Sequence, residues 1–232
     1  MNKFITAVKE LNLLVVEETL SREPIWLTWS EDSGKNALHF LCGIDVSNSP
    51  EKAENSLQIL KLLLNHGMDI NSIHNIPDRG CNFPATPLWY AYTRGRNRKI
   101  YTYLLENGAN PDNCMYAIAW YDDVEAASLF KKYGAEIDND TAGGTPFLAA
   151  FNWRRFEIAG WFLKNGANVN AADPKGNTAL FYAIKKKYKI EQVKRLLQFD
   201  ADFNLENNEG LSAIKLATVN KQRKLLSLFT HR

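Results

Sequence analysis

The amino-acid sequence predicts an all-α fold: a solenoid of stacked helix-turn-helix units with projecting β-turn or hairpin fingers and an N-terminal helical cap. Two recurring landmarks predict it. One is an ending, Asn65-His66-Gly67-Met68-Asp69-Ile70-Asn71, which returns around Gly108, Gly134, Gly166 and Asp200, so that equivalent positions stand 41, 26, 32 and 34 residues apart. The other is a start, seen as Gly34-Lys35-Asn36-Ala37-Leu38-His39, Thr86-Pro87-Leu88-Trp89, Gly144-Thr145-Pro146-Phe147, Gly176-Asn177-Thr178-Ala179-Leu180 and Gly210-Leu211-Ser212-Ala213-Ile214. A third observation is the apolar content: 45% of 232 residues are hydrophobic, enough for one folded body.

The elements follow in chain order. Residues 1–30 lack the starting landmark, but Leu13, Val16 and Leu20 share one helical face with Glu18 on the other, which reads as a helical cap. In each later unit, Thr145 or Thr178 is placed to cap a first helix, and Pro146 fits the first helical position, where no amide hydrogen is needed. A second helix such as Phe156 to Lys164 gathers Ile158, Ala159, Phe162 and Leu163 on one face and stops at Gly166, which tolerates positive φ. The polar stretch up to the next Thr, with Asp173-Pro174-Lys175-Gly176 at its tip, is a projecting turn. One unit cannot bury its apolar face alone, so neighbours must stack.

With these landmarks the chain resembles the ankyrin-repeat family, whose unit of about 33 residues carries a Thr-Pro-Leu-His signature. The resemblance covers Glu31 to the C-terminus and divides one domain, 1–232, into repeats 31–73, 74–113, 114–138, 139–172 and 173–206 and a capping repeat 207–232. The Asp140 to Ala172 stretch is one full copy. Departures are expected to matter. The signature His survives only as His39, so polar cross-links between turns should be mostly missing. An insertion at Asp45 to Ser56 and an enlarged finger at His74 to Phe83 read as surface elaborations. The third repeat has Tyr116-Ala117-Ile118-Ala119 at its start and too few residues for a finger.

Charge and composition exclude several functions. Lys plus Arg number 28 against 26 Asp plus Glu, a net +2, which disfavours a nucleic-acid binder. No apolar run approaches the ~20 residues of a transmembrane helix, and Met1 to Leu20, broken by Lys9, Glu10, Glu17 and Glu18, does not read as a signal peptide. Cys42, Cys81 and Cys114 are odd in number and irregularly spaced, as free thiols of a reducing cytoplasm would be. His39 and Cys42 have helical spacing for two metal ligands but lack a second pair. Hydrolase, kinase, zincin and dinucleotide motifs do not occur, so neither metal, cofactor nor catalysis is expected. An enzyme or enzyme inhibitor working through His74, Asp78 and Cys81 of the enlarged finger is the alternative.

The expected partner is another protein, bound by a monomer through the concave groove. The resemblance implies a binding surface made of finger tips and the inner face of the first helices, which here assigns Asp32, Lys35, Phe83, Lys175, Asn177 and Glu209 from the fingers. The same alignment places Trp153 at the end of a first helix, with Arg94, Tyr121, Asp122, Lys185 and Lys186 nearby. Residues 185–232 hold eleven Lys plus Arg against five Asp plus Glu, so the C-terminal end is basic. With Arg94, Arg96 and Arg98 it forms the basis of a second alternative, a basic stripe for anionic surfaces. The Asn- and Lys-rich composition also resembles small ankyrin proteins that intracellular bacteria deliver into host cells.

Overall fold

In the computed structural model, which describes residues 3–78, 80–139 and 143–229, the chain folds as consecutive pairs of short helices. Asp140, at the predicted start of the fourth finger, and Arg79 of the enlarged finger lie outside the described residues. Two compact units are formed: Met1–Cys114 with Tyr133–Ala135, and Met115–Lys132 with Glu136–Arg232.

The first unit begins with α1 (Lys3–Lys9) and α2 (Leu13–Arg22), followed by a 3-10 turn at Pro24–Leu27. The predicted N-terminal cap is therefore a full helix pair. Its first member was not legible in the sequence, although Phe4, Ile5, Ala7 and Val8 are buried there. Next come α3 (Ala37–Cys42) and α4 (Pro50–Asn65). The insertion after Asp45 is a short loop followed by extra turns of α4, capped by Ser49, and not a surface loop throughout. The enlarged finger is a two-stranded antiparallel hairpin, β1 (His74–Asp78) and β2 (Cys81–Ala85), in which His74 pairs with Ala85 and Asp78 with Cys81. α5 (Pro87–Thr93), α6 (Arg98–Glu106) and a 3-10 turn at Asp112–Cys114 complete the unit. First helices stack on first helices (α1 on α3 on α5) and second on second (α2 on α4 on α6). Leu38, Leu41, Ile59, Leu60, Leu63, Leu88 and Leu104 are fully buried between them, each contributing about 1.5–3 kcal/mol.

The second unit repeats the pattern with α7 (Met115–Tyr121), α8 (Val124–Lys132), α9 (Pro146–Asn152), α10 (Phe156–Lys164), α11 (Ala179–Lys185), α12 (Ile190–Gln198), α13 (Ala213–Val219) and α14 (Arg223–Phe229). α7, α9, α11 and α13 stack in series around Phe147, Leu180 and Ile184, while Phe130 and Phe162 fill the layer of second helices. As expected, the third repeat keeps its first helix and has no finger before it. In place of hairpins the last two fingers close with single bridges, Ala172 to Thr178 and Glu206 to Ser212.

The landmarks have clear local causes. The hydroxyls of Thr86, Thr145, Thr178 and Ser212 accept the amide three residues on, at 3.2, 3.3, 3.2 and 3.3 Å, satisfying donors that a helix start leaves open. The recurring Asn or Asp endings form a ladder: Asn71 Oδ1 accepts Asn110 N–H at 2.8 Å, Asp138 accepts Asn168 N–H at 2.9 Å, and Asn170 accepts Asp202 N–H at 2.8 Å. The cross-links expected to be missing are thus made elsewhere. In the last fingers, buried Asn207 donates to Asn177 Oδ1 at 2.8 Å and accepts from Glu209 and Leu211 N–H at 3.0 Å. Asn207→Ala should lower stability by about 2 kcal/mol, read from the urea midpoint.

The lone signature histidine does bridge turns. His39 is wholly buried, with Nε2 3.1 Å from Ser72 O and 3.3 Å from Ala85 O, so Nε2 carries the hydrogen and Nδ1 accepts from Asn36 N–H at 3.2 Å. Burial pushes its pKa from 6.5 down to about 4, opposed by the Ala85 carbonyl. On acidification the unfolded chain takes up this proton first. Stability should therefore be steady above pH 6.5, fall by an amount on the order of 3 kcal/mol towards pH 4, and level off below. In His39→Gln that span of the denaturant-midpoint profile should flatten.

Candidate functional site

In the first unit the fingers and first helices build a cation and aromatic cluster. The ammonium groups of Lys9, at the end of α1, and Lys35, on the first finger, each lie 4.4 Å from the Phe40 ring centre. Lys35 is also 5.7 Å from the Tyr90 ring, and the Arg94 guanidinium, at the α5 C-cap, lies 5.5 Å from Tyr90 and 5.8 Å from Trp89. Phe83 of the hairpin packs against Trp89 at 5.2 Å, and His74 Nδ1 is 2.7 Å from the Tyr90 hydroxyl. Cations held over ring faces are attracted by the ring quadrupole. Partial burial, opposed by Glu31 and reinforced by Arg94 and Lys9, holds the Lys35 pKa below the usual lysine value. His74 is also shifted down, first by burial and then by Lys35. The charged groups acting on Lys35 are thus two cations, Arg94 and Lys9, and the carboxylate of Glu31.

The predicted residues Lys35, Phe83 and Arg94 are brought together here around Trp89 and Tyr90, while Asp32 stands exposed on the first finger. Lys9, Phe40 and Tyr90 belong to the cluster and were not singled out by the sequence. A lysine over the aromatic ring of a neighbouring helix pair is a tertiary contact without a local motif.

In the second unit an aromatic patch spans α7 and the end of α9. Trp153, the α9 C-cap, is half-buried edge-on against Tyr116 at 5.1 Å and Trp120 at 4.8 Å. Trp120 and Tyr121 are 49% and 48% exposed. Trp120, absent from the sequence-predicted residues, is the more accessible ring. Asp122 faces inward in function: its carboxylate accepts Ile158 N–H at 2.9 Å and caps α10. Asn177 is buried and bonded to Asp173 and Asn207, so it holds two fingers together and offers no contact surface. Lys175 and Glu209 are exposed near the tips of those fingers. Lys185 lies 5.7 Å from Phe181, and Lys186 lies 5.2 Å from Tyr182 and donates to Asn152 O at 3.3 Å.

The enlarged finger does not gather the residues of the enzyme alternative. His74 stands four positions from Asp78 along β1, roughly 13 Å of strand, and Cys81 Sγ is bonded to Asp78 O at 3.1 Å. Among the described residues no group of three or more His, Cys, Asp or Glu is placed to hold a metal ion, and no helix is long and apolar enough to cross a membrane.

Stacked helix pairs with capped Thr-Pro starts, Gly-Ala endings and intervening fingers define an ankyrin-type repeat protein. The chain matches the family model for ankyrin repeats, in three copies, over residues 148–231. It is 33% identical over 111 residues to an ankyrin repeat protein of Rickettsia bellii, covering 47% of this chain and 45% of that one. It is 30% identical over 129 residues to one of Acanthamoeba polyphaga mimivirus, covering 50% of this chain and 16% of the other. An ankyrin repeat protein of Fowlpox virus is 28% identical over 179 residues, 75% of this chain and 43% of its own. The chain thus spans less than half the length of these relatives. The fold is that of the ankyrin repeat domains of human ASB11 (TM-score 0.69, 20% identity, 98% and 97% of the two chains) and of Bcl-3 (TM-score 0.72, 19% identity, 99% and 98%).

The two tryptophans should separate in mutation. Trp153→Ala removes a half-buried ring from between two others and should lower the urea-unfolding stability by about 2 kcal/mol, whereas exposed Trp120→Ala should cost under about 1 kcal/mol.

Proposed function

We propose that this protein is a protein-interaction module without catalysis of its own, binding a partner protein through finger tips and exposed side chains of its first helices. Ankyrin repeat domains generally serve protein–protein interaction, and the observation that carries the reading here is the cluster of Lys9, Lys35 and Arg94 over Phe40, Tyr90 and Trp89. Each cation is held in place by a ring before any partner arrives, so contact costs little ordering entropy. Arginine beside accessible aromatic surface is the composition of interface anchors. The exposed Trp120 and Tyr121 provide a comparable patch in the second unit. The protein acts as a cytoplasmic monomer, in its own cell or in a host. Similarity to repeat proteins of a Rickettsia and of viruses supports the finer reading of an effector acting on a host protein.

The test is affinity capture at physiological salt with the unmodified protein and with Lys35→Ala/Arg94→Ala, one half-buried and one exposed residue outside the core. A specific partner should be recovered by the first and reduced at least about tenfold by the second, as loss of anchors worth about 1.4 kcal/mol or more requires. Equal recovery would place recognition away from this cluster.

A further inference from the structure

The turns joining first to second helices in the second unit share a backbone feature also present at Leu11 and Arg96 of the first unit. Each passes through a residue of positive φ: Asp122 at 60°, Arg154 at 63°, Lys187 at 52° and Lys221 at 54°. That backbone region is costly for a side chain with a Cβ, and Gly, Asn or Asp occupies it most easily. Asp122 fits this rule and caps α10. Arg154, Lys187 and Lys221 do not fit it, and all three are exposed cations. Backbone stability is given up at three successive turns while positive charge is placed along one edge.

Two of these residues rim a recess. Arg154, Phe156, Lys187, Tyr188, Lys189 and Gln192 line a cavity of about 240 Å³ with no carboxylate in its wall. Its floor is aromatic: Tyr188, only 9% exposed, packs 5.4 Å from Phe156 and 5.6 Å from Phe151. The Arg154 guanidinium lies 4.9 Å from the Tyr188 ring, and the Tyr188 hydroxyl donates to Asn152 O at 3.1 Å. Lys186 is tethered beside it to the Asn152 carbonyl and side-chain oxygens. Like charge acts beside the recess: the Lys186 pKa is lowered by burial and then by Arg154 and Lys185.

From this arrangement we infer that the α9–α10 and α11–α12 turns form a docking site for an acidic segment of a partner protein, with an Asp or Glu side chain entering the recess between Arg154, Lys187 and Lys189. The inference rests on the interaction-module reading and adds the chemistry of the partner. Cations around a recess with no carboxylate in its wall gain most from a carboxylate that replaces their mutual repulsion. A bilayer is flat and cannot enter a recess the size of one side chain. Single-stranded nucleic acid needs exposed ring faces for stacking, whereas Tyr188 and Phe156 are packed edge-on into the floor.

The positive φ values supply a clean test, because Gly removes the charge and suits the backbone better. The probe is fluorescein-labelled decaglutamate, titrated by anisotropy at 50 mM and 150 mM NaCl with the full chain. Arg154→Gly/Lys187→Gly should bind at least about tenfold more weakly while its thermal midpoint holds or rises. Lys164→Ala/Lys194→Ala removes equal charge from exposed sites on α10 and α12 and should change binding less than about twofold. Arg154→Asn/Lys187→Asn, also tolerant of positive φ, repeats the test should the glycine variant misfold. No binding by the unmodified protein, equal weakening in both double variants, or tighter binding to oligo-dT or phosphatidylserine vesicles overturns the inference. Partner capture through Lys35 and Arg94 reads independently: a captured partner without decaglutamate binding rejects the acidic segment and leaves the interaction module standing.

Discussion

A helix of six or seven residues does not hold itself together in water, because its few internal hydrogen bonds cannot offset the cost of fixing its backbone. α3, α5, α7, α9, α11, α13 and α14 are all that short. Each exists because the next pair covers its apolar face, and everything else in the molecule depends on that mutual burial. The Thr and Ser caps set where α4, α5, α9, α11 and α13 start, the turn residues reverse the chain, and the Asn and Asp ladder fixes the offset between neighbours. The apolar stack provides the driving force and the polar ladder provides the register.

Features with local backbone causes were legible in the sequence. Thr86 and Thr145 precede proline because a helix start has free amides to satisfy, and Gly166 ends a helix because it adopts a φ of 94°. Such requirements imprint single residues at fixed spacing, so helix starts, helix ends and the missing third finger could be read directly. α1 could not, because nothing in Lys3–Lys9 announces a cap and its helix is defined by what Phe4 and Val8 pack against. The cross-link ladder was half legible: its residues formed the recurring ending, but that Asn71 reaches Asn110 belongs to three dimensions.

The candidate site was less legible for the same reason. Lys35 and Arg94 were found by their position in the unit, but the rings beneath them, Phe40 and Tyr90, come from different helices. Trp153 was read from its position at a helix end, whereas Trp120 carried no expectation. The residue at the helix end is half-covered by α7, and the one inside α7 looks outward. Asn177 lies at a finger tip in the linear pattern, yet the neighbouring finger buries it. Side-chain exposure depends on the adjoining unit, which has no fixed imprint on the residue itself.

The three cysteines show how the same burial sorts chemical reactivity. Cys42 and Cys114 are fully enclosed, and burial pushes both thiols far above the range in which thiolate forms. Cys81 stands in the open at the hairpin turn. A thiol-selective reagent therefore meets one handle on the folded protein, and it sits on the finger that carries Phe83. A fluorophore attached there reports on that finger while the two sealed thiols stay silent until the chain unfolds, so one label separates occupation of the hairpin from loss of the fold.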